Sequence, residues 1–221
     1  MEMISIKNVT KRYGDKTVYE NFNLDIEKDR ITVILGESGS GKTTLLSMLA
    51  NLTDYDGEIV GVANQKSMIF QTDRLIPNLT VEENIKLVVP NADVQSALLK
   101  VGLDGTKDLY PKSLSGGMAR RVAIVRALLY DAPILLMDEP FINLDIAHKF
   151  SIIDDIKNNQ KTSPKTVIMV THDVKEALLI ADRIVVIKNG KVVFDENKVN
   201  KNTEEKIYGV LLENYKKPIT L

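Results

Sequence analysis

One stretch of the chain combines the residue types that bind the phosphate groups of a nucleotide. The sequence GESGSGKTT, residues 36–44, fits the pattern G-x-x-x-x-G-K-[ST]. Glycines allow successive N–H groups to point inward at phosphate oxygens, Lys42 supplies a positive charge, and Thr43 offers its hydroxyl to Mg²⁺. The preceding ITVIL predicts a buried strand and the following KTTLLSMLANL predicts a helix, which is the context that this motif requires. The stretch therefore predicts a nucleotide-binding loop.

A second group of polar side chains follows predicted buried strands. ILLMDEP places Asp138 and Glu139 at the end of one strand, MVTHD places His172 after another, and MIFQ places Gln71 after a third. Because ligands of open α/β sheets bind beyond the carboxyl ends of the strands, we expect these side chains at the nucleotide. Asp138 is expected to hold Mg²⁺ through its water shell, and Glu139 to polarise a water for attack on the γ-phosphate. Gln71 would contact Mg²⁺ or that water, and His172 would donate to the γ-phosphate.

The stretch SLSGGMARRVAIVRAL, residues 113–128, is a further candidate anion site. Ser115 and two glycines open a predicted helix, where free N–H groups and the helix dipole both favour a negative charge. The chain thus has two phosphate-binding helix starts. Two other residues carry weaker signals. Tyr13 is a candidate for stacking on adenine, and His148 lies in a polar helical segment where we expect it to be exposed and without a role.

Composition limits the class of protein. The 221 residues correspond to one large domain, or one domain with an insert, and a hydrophobic content of 44% suffices for an ordinary core. The 30 acidic residues nearly balance the 29 basic residues, which argues against nucleic-acid binding driven by net charge. No cysteine is present, so disulfides and thiolate metal sites are excluded. The sequence has no signal-peptide pattern and no apolar window of about 20 residues, so we expect a cytoplasmic protein that partners hold at any membrane where it acts.

The order of predicted elements is that of an α/β protein with an insert. Alternation in MISIKNVT and VYENFNLDI predicts an early antiparallel pair of strands. Helical patterns occupy about residues 72–131, after which the buried strands PILLMD, TVIMVT and RIVVI alternate with helical segments. KNGKVVFDEN predicts a hairpin that turns at Asn189 and Gly190, and the charged tail from residue 202 is predicted to be helical. We expect a mostly parallel sheet covered on both faces, an N-terminal antiparallel β subdomain and an inserted helical subdomain.

The order of the motifs resembles that of the ATP-binding subunit of an ABC transporter. The resemblance covers nearly the whole chain, and LSGG, residues 114–117, makes it specific. It implies a P-loop NTPase core of the RecA-like type in a single ATPase domain over residues 1–221. The helical insert would occupy about residues 72–131, and a short tail would follow from about residue 202. It also implies binding of ATP and Mg²⁺, and ATP hydrolysis coupled to transmembrane transport.

The resemblance assigns a role to each motif. Tyr13 corresponds to the adenine-stacking aromatic and Asp145 to the D-loop aspartate. The residues expected to take part in catalysis are Lys42, Gln71, Glu139 and His172, and those expected at Mg²⁺ are Thr43, Gln71 and Asp138. The residues expected to contact the nucleotide are Tyr13, Gly36, Glu37, Ser38, Gly39, Ser40, Gly41, Lys42, Thr43, Thr44, Ser115, Gly116, Gly117 and Asp145.

Head-to-tail pairing in this family accounts for the two phosphate-binding helix starts. In such a pair, Ser115 and the two following glycines of one subunit would bind the γ-phosphate of ATP held by the other subunit. Each chain has one phosphate loop, residues 36–44, and one LSGG motif, residues 114–117, which is called the signature below. An ATP-dependent homodimer is therefore the simplest assembly. Its closure would move the helical inserts against permease subunits at the inner face of the membrane. An extracytoplasmic solute-binding protein is expected in the same system, and nucleic acid is not an expected partner.

Details of the motifs narrow the branch of the family. FQTDRLIPNLTVEENI, LSGGM and DEPF resemble the nitrate/sulfonate/taurine-type importers, and the short tail favours an importer subunit without an added regulatory domain. Met118 stands where the common signature has glutamine, and Ile142 and Asn143 replace a frequent serine-alanine pair. Two alternatives remain at this point. One is an ATPase of the lipoprotein-release or cell-division kind, and the other is a soluble ABC ATPase of translation or DNA repair.

Overall fold

The computed structural model describes residues 2–212, which form two compact units. Of these residues, the first unit contains 2–62 and 166–212, and the second contains 63–165. Each unit is built from strands and helices of its own. Part of the predicted C-terminal tail, residues 213–221, lies outside the described residues.

An antiparallel sheet of the first unit contains the two strands predicted at the start of the chain. β1 spans Met3–Tyr13 and pairs with β2, Lys16–Glu27, and with β4, Asp56–Val60, in the order β2-β1-β4. Ile4, Ile6, Val9 and Lys11 of β1 are buried, which is the pattern of a strand with one face on the core, and an irregularity between Ile6 and Val9 interrupts the alternation. β4 has only one half-buried residue, so its alternation is too weak to have predicted it.

The other strands of the first unit form a mainly parallel arrangement. β3, Ile31–Leu35, lies between β7, Thr166–Thr171, and β8, Arg183–Lys188, and is parallel to both. β9, Lys191–Asn197, pairs antiparallel with β8 through the predicted turn at Asn189 and Gly190. All residues of β3 and β7 are buried, which explains their continuous apolar sequences. The helices of this unit are α1, Lys42–Leu49; α6, Val174–Ile180; and α7, Thr203–Leu212.

The second unit combines two parallel strands with four helices. β5, Lys66–Ile69, pairs with β6, Ile134–Asp138. The helices are α2, Val81–Lys86; α3, Val94–Lys100; α4, Gly116–Leu129; and α5, Ile146–Thr162. A short 3₁₀ turn at Pro111–Ser113 precedes α4. The hydroxyl of Ser67 donates to the carbonyl of Ala127 at 2.7 Å, which fastens α4 to β5.

Helix starts in the second unit follow from local side-chain hydrogen bonds. At α2, Thr80 and Glu83 form a capping box, in which each side chain accepts from the other residue's N–H. Asn84 is fully buried and bonds four backbone groups of the preceding segment, so this loop is held tightly before the helix. The helices predicted between about residues 72 and 131 are therefore present, in a unit that also contains β5, β6 and α5.

The observed strand pairings confirm the prediction of an α/β protein with a mostly parallel sheet and an antiparallel N-terminal sheet. Within residues 2–212, no helix has the length and apolar character needed to cross a bilayer.

Candidate nucleotide site

The predicted phosphate loop connects β3 directly to α1. Gly36 follows the last buried residue of β3, and Gly41 precedes the first residue of α1. A Cβ atom at Gly36 would overlap the carbonyl oxygen of Ile187 and lie 2.6 Å from Ser40 Oγ. Only glycine fits where the loop leaves the sheet, because the backbone there passes close to β8. The loop therefore reaches the amino end of α1 in a tight turn, where a helix start favours an anion.

Lys42 and Ser40 place polar groups inside this loop. Lys42 is only 7% exposed, and its ammonium group donates to the carbonyls of Gly36 at 2.7 Å and of Glu37 at 3.0 Å. Within the described residues 2–212, Ser40 Oγ is buried and has no hydrogen-bond partner. A buried hydroxyl without a partner is unfavourable by about 1–3 kcal/mol, so it indicates a group that an oxyanion would satisfy. These features fit the phosphate groups of ATP.

Tyr13 lies beside the loop, as an adenine-stacking residue must. Its ring is half exposed and lines a cleft of about 230 Å³ together with Gly39, Gly41, Lys42, Thr43 and other residues of the first unit. The ammonium group of Lys11 lies 4.7 Å from the ring centroid, which holds the ring by a cation–π contact. The structure thus brings the predicted aromatic and the predicted phosphate loop to one cleft.

His172 leaves the sheet at the same edge as the phosphate loop. Leu35 of β3 is in register with Thr171 of β7, so the next residues, Gly36 and His172, begin the loops at that edge. His172 is exposed, and the segment after it is fixed because Asp173 caps α6. The strand register therefore supports the expectation that His172 faces the ligand side of the first unit.

The predicted residues of the second unit also follow adjacent parallel strands. Ile69 of β5 is in register with Met137 of β6, which brings Gln71 and the Asp138–Glu139 pair to one edge. Gln71 is exposed and Asp138 is 3% exposed. Glu139 has φ 46°, a left-handed conformation that is unfavourable for a residue with a side chain by about 1–3 kcal/mol. Such strain persists only where neighbouring contacts hold the backbone.

Arg120 supplies those contacts and was missed by the sequence analysis. Its side chain is 1% exposed, and its guanidinium group donates to backbone carbonyls after β6 and after β5. Burial lowers the pKa of Arg120, and the nearby carboxylates oppose that shift. The spacing of residues in α4 could have predicted its burial, because Arg120 shares the buried face of the helix with Ala123, Ile124 and Ala127.

The signature residues open α4 as predicted. Ser115 precedes the helix, and its hydroxyl accepts the N–H of Met118 at 3.2 Å. Ser115 and Gly116 are exposed, so the amino end of this 14-residue helix lies at the surface. A Cβ atom at Gly117 would lie 3.0 Å from the carbonyl oxygen of Asn143, so the signature packs against the segment before Asp145. This end of α4 has the geometry of an anion site.

The structure shows that the prediction for His148 was wrong. His148 is partly buried, its Nδ1 lies 2.6 Å from Asp145 Oδ2, and its Nε2 contacts the guanidinium group of Arg121. Asp145 also accepts the N–H of His148 at 3.0 Å and thereby caps α5. These bonds lower the pKa of Asp145, with the backbone N–H of His148 as the largest cause. His148 therefore links the start of α5 to the signature helix.

The remaining predicted loop residues lie between β3 and α1 and in the first turn of α1. Glu37, Ser38 and Gly39 are exposed, while Thr43 and Thr44 begin α1 beside Lys42 and line the cleft with Tyr13. The first unit thus carries Tyr13, the phosphate loop and His172. The second carries Gln71, Asp138, Glu139, the signature and Asp145.

Sequence comparison identifies relatives of this chain. The profile of the ABC transporter family matches residues 19–142. The chain is 38% identical over 214 residues to an aliphatic sulfonates import ATP-binding protein of Paraburkholderia xenovorans (strain LB400), covering 95% of this chain and 86% of the relative. An Fe(3+) ions import ATP-binding protein of Fusobacterium nucleatum is 36% identical over 209 residues, covering 86% of this chain and 56% of that protein.

Solved structures show the same architecture. A bacterial ABC transporter cassette described as dimeric has a TM-score of 0.80 and 32% sequence identity, covering 88% of this chain and 98% of the cassette. An ATP-binding cassette in a dimeric post-hydrolysis state, bound to ADP and Pi, has a TM-score of 0.79 and 30% identity with the same coverage.

Proposed function

The chain belongs to the ABC transporter family, and we propose that it is the ATP-hydrolysing subunit of an importer of a small solute. The observation that carries this function is the cleft of the first unit, where Tyr13 and the phosphate loop line one space. The buried, unpartnered hydroxyl of Ser40 within that loop fits an oxyanion. The curated relatives are import ATP-binding proteins, which favours an importer over a lipoprotein-release complex or a soluble ATPase.

Phosphate binding would use the loop and the start of α1. Lys42, now held by two loop carbonyls, would turn its positive charge to the β- and γ-phosphates. The backbone N–H groups between Gly36 and Gly41 would donate to phosphate oxygens, and Ser40 would gain the partner that it lacks. Tyr13 would stack on the adenine ring at the open side of the cleft.

Residues of suitable chemistry for Mg²⁺ are present. Thr43, Gln71 and Asp138 offer a hydroxyl, an amide oxygen and a carboxylate, which are the oxygen ligands that Mg²⁺ prefers. Bound Mg²⁺ would neutralise charge on the phosphates during their transfer to water. Asp138 is buried at the end of β6, and burial of its side chain favours a fixed ligand.

Glu139 is the proposed general base for hydrolysis. Its carboxylate would accept a proton from the attacking water as that water attacks the γ-phosphorus. The strained backbone at Glu139 supports this role, because left-handed residues with side chains concentrate at functional sites. His172, exposed beyond β7, would donate a hydrogen bond to the γ-phosphate.

The functional assembly would be a head-to-tail homodimer. Ser115, Gly116 and Gly117 open a helix whose amino end lies at the surface, although the chain has a complete phosphate loop elsewhere. In the dimer, this second anion site would bind the γ-phosphate of ATP held by the partner subunit. Binding between subunits would then depend on the γ-phosphate and weaken after hydrolysis. Dimeric relatives support such an assembly.

Coupling to transport would place the dimer against permease subunits at the inner face of the membrane. Sulfonate import relatives support an importer of the nitrate/sulfonate/taurine type. An extracytoplasmic solute-binding protein would belong to the same system. A relative that imports Fe(3+) ions also matches, so the solute is assigned by class and not by compound.

One experiment tests this function in its native cells. The Glu139→Gln variant, expressed there and captured with Mg-ATP, should retain its permease, because ATP would be bound but hardly hydrolysed. Mass spectrometry should then identify a polytopic membrane protein. The Lys42→Ala variant serves as the matched control that lacks ATP binding. Ribosomal or repair proteins, with no membrane protein, would contradict the transport function.

A further inference from the structure

Helix α4, which begins with the signature, carries a buried positive charge at Arg120. None of the predicted roles at the nucleotide site explains this charge. Arg120 is 1% exposed and lies on the apolar face of α4 with Ala123, Ile124 and Ala127. Removing a guanidinium group from water is strongly unfavourable unless its N–H groups are bonded. The partners of Arg120 therefore identify what its burial is for.

Those partners come from the two segments that carry Gln71 and Glu139. After β5, Arg120 Nη1 donates to the carbonyls of Phe70 and Gln71 and to Asp73 Oδ1, the last at 3.3 Å. After β6, the guanidinium group donates to three consecutive carbonyls. Nη2 bonds Asp138 O at 3.2 Å and Glu139 O at 2.7 Å, and Nε bonds Pro140 O at 2.7 Å.

These bonds hold the backbone on both sides of Glu139. The carbonyl of Asp138 belongs to the peptide unit before Glu139, and the carbonyl of Glu139 belongs to the unit after it. Fixing both units fixes the direction of the Cα–Cβ bond between them. The bonds also keep Glu139 at φ 46°, where an unrestrained residue would not stay.

We propose that Arg120 is a positioning residue for ATP hydrolysis, which aims the Glu139 carboxylate and ties its backbone to the Gln71 segment. This inference rests on the proposed function, in which Glu139 acts as the general base. Arg120 acts through the backbone and does not itself touch the nucleotide. A displacement of the Gln71 segment would move the same guanidinium group that orients Glu139.

The planar fork of arginine is essential to this role. One guanidinium group offers five N–H donors in fixed directions, and here they reach two chain segments at once. A lysine at this position would retain the charge, but its single nitrogen cannot occupy the positions of Nε, Nη1 and Nη2 together. Replacing Arg120 by lysine therefore separates the effect of its charge from the effect of its donor geometry.

Arg126 provides a matched control on the same helix. Its Nη1 donates to Arg74 O at 3.1 Å, and its Nη2 donates to Asp73 O at 3.0 Å. Arg126 thus fastens the segment after β5 and is also partly desolvated, which lowers its pKa. Its described bonds go to this one segment, so replacing it should leave the orientation of Glu139 unchanged.

The test compares Arg120→Met, Arg120→Lys and Arg126→Met with the wild-type chain. We would measure the Kd for Mg-ATP, the amount of ATP bound per chain, and kcat for the fraction that binds. Arg120→Met should lower kcat at least about tenfold with less than about threefold change in Kd, because only the orientation of the base is lost. Arg120→Lys should lower kcat to a similar extent, and Arg126→Met should keep kcat within about threefold of wild type. Arg120→Lys keeps most of the buried stem and supplies the comparison if Arg120→Met does not fold.

The outcomes separate this inference from the proposed function. A wild-type chain that binds Mg-ATP but does not hydrolyse it overturns both. If the wild-type chain hydrolyses ATP normally and the Arg120 variants have an unchanged kcat per bound ATP, only the positioning role is overturned. Full activity of Arg120→Lys shows that charge suffices and overturns the role of the fork. Equal loss of kcat in Arg126→Met shows a general effect of loosening α4, which also overturns the inference.

Discussion

Asp145 Oδ2 lies 2.6 Å from His148 Nδ1, and the other oxygen of the same carboxylate accepts the His148 N–H at 3.0 Å. His148 Nε2 in turn contacts Arg121, a residue of the signature helix. Because Arg121 donates through its N–H, the geometry fits a neutral histidine with its proton on Nδ1. The start of α5 and the start of α4 are thereby linked through one imidazole ring.

The Asp145 carboxylate should stabilise the fold in a pH-dependent way. Its pKa is lowered below the ordinary value of 3.8, so its contribution is present above that value and is lost as pH falls through the lowered pKa. Asp145→Asn should reduce the urea midpoint at pH 7, and the difference from wild type should shrink below about pH 4. Asp154→Asn, which alters an exposed carboxylate of the same helix, is the control. A difference that grows with acidity would contradict the assigned sign.

Lys42→Ala should abolish measurable ATP binding while leaving the fold intact. The ammonium group contacts two loop carbonyls, and its loss removes the positive charge available to the β- and γ-phosphates. Isothermal titration with Mg-ATP measures the binding, and circular dichroism monitors the fold. Binding with wild-type affinity would show that Lys42 does not contact the phosphates.

Tyr13→Trp should report adenine stacking directly. The chain contains no tryptophan, so the substitution introduces a single indole at the edge of the cleft. ATP should quench its fluorescence, because the adenine ring would cover the indole face. Tyr55→Trp, placed outside this cleft, is a matched control. Unchanged emission of Tyr13→Trp at saturating ATP would exclude stacking at this position.

Glu139→Gln should bind Mg-ATP normally and hydrolyse it at least about a hundredfold more slowly, because the amide cannot accept the proton of the attacking water. Single-turnover hydrolysis of radiolabelled ATP measures the step without product release. Glu20→Gln alters an exposed carboxylate outside the phosphate loop and controls for the loss of charge. Wild-type turnover in Glu139→Gln would assign the general base to another group.

The fold was predictable where burial produced an unambiguous pattern. The runs ITVIL and TVIMVT coincide with β3 and β7, because both strands are buried along their whole length. β4 was not predicted, since it lies in the exposed part of an antiparallel sheet and has no clear alternation. Residue types and strand ends sufficed to place a candidate phosphate loop after β3 and a candidate acidic pair at the end of β6.

Positioning interactions were not predictable in the same way. Arg120 bonds backbone carbonyls about 20 and 50 positions away in the chain. Every residue type has the same backbone carbonyl, so the sequence does not show which carbonyls accept these bonds. His148 was expected to be exposed because its helical segment is polar. It contacts Arg121, which lies 27 positions before it in the chain. Both errors arise because partners distant in sequence meet only after folding.

The most direct test of the two half-sites uses a mixture of two inactive variants. Lys42→Ala removes the phosphate loop's charge but keeps the signature, whereas Ser115→Arg blocks the signature but keeps the loop. Each alone should lack hydrolysis, and Ser115→Arg should still bind ATP. In a head-to-tail dimer, mixing equal amounts should restore one intact site per mixed dimer, on the order of a quarter of wild-type activity. A mixture no more active than its components, or normal hydrolysis by Ser115→Arg alone, would contradict the shared site.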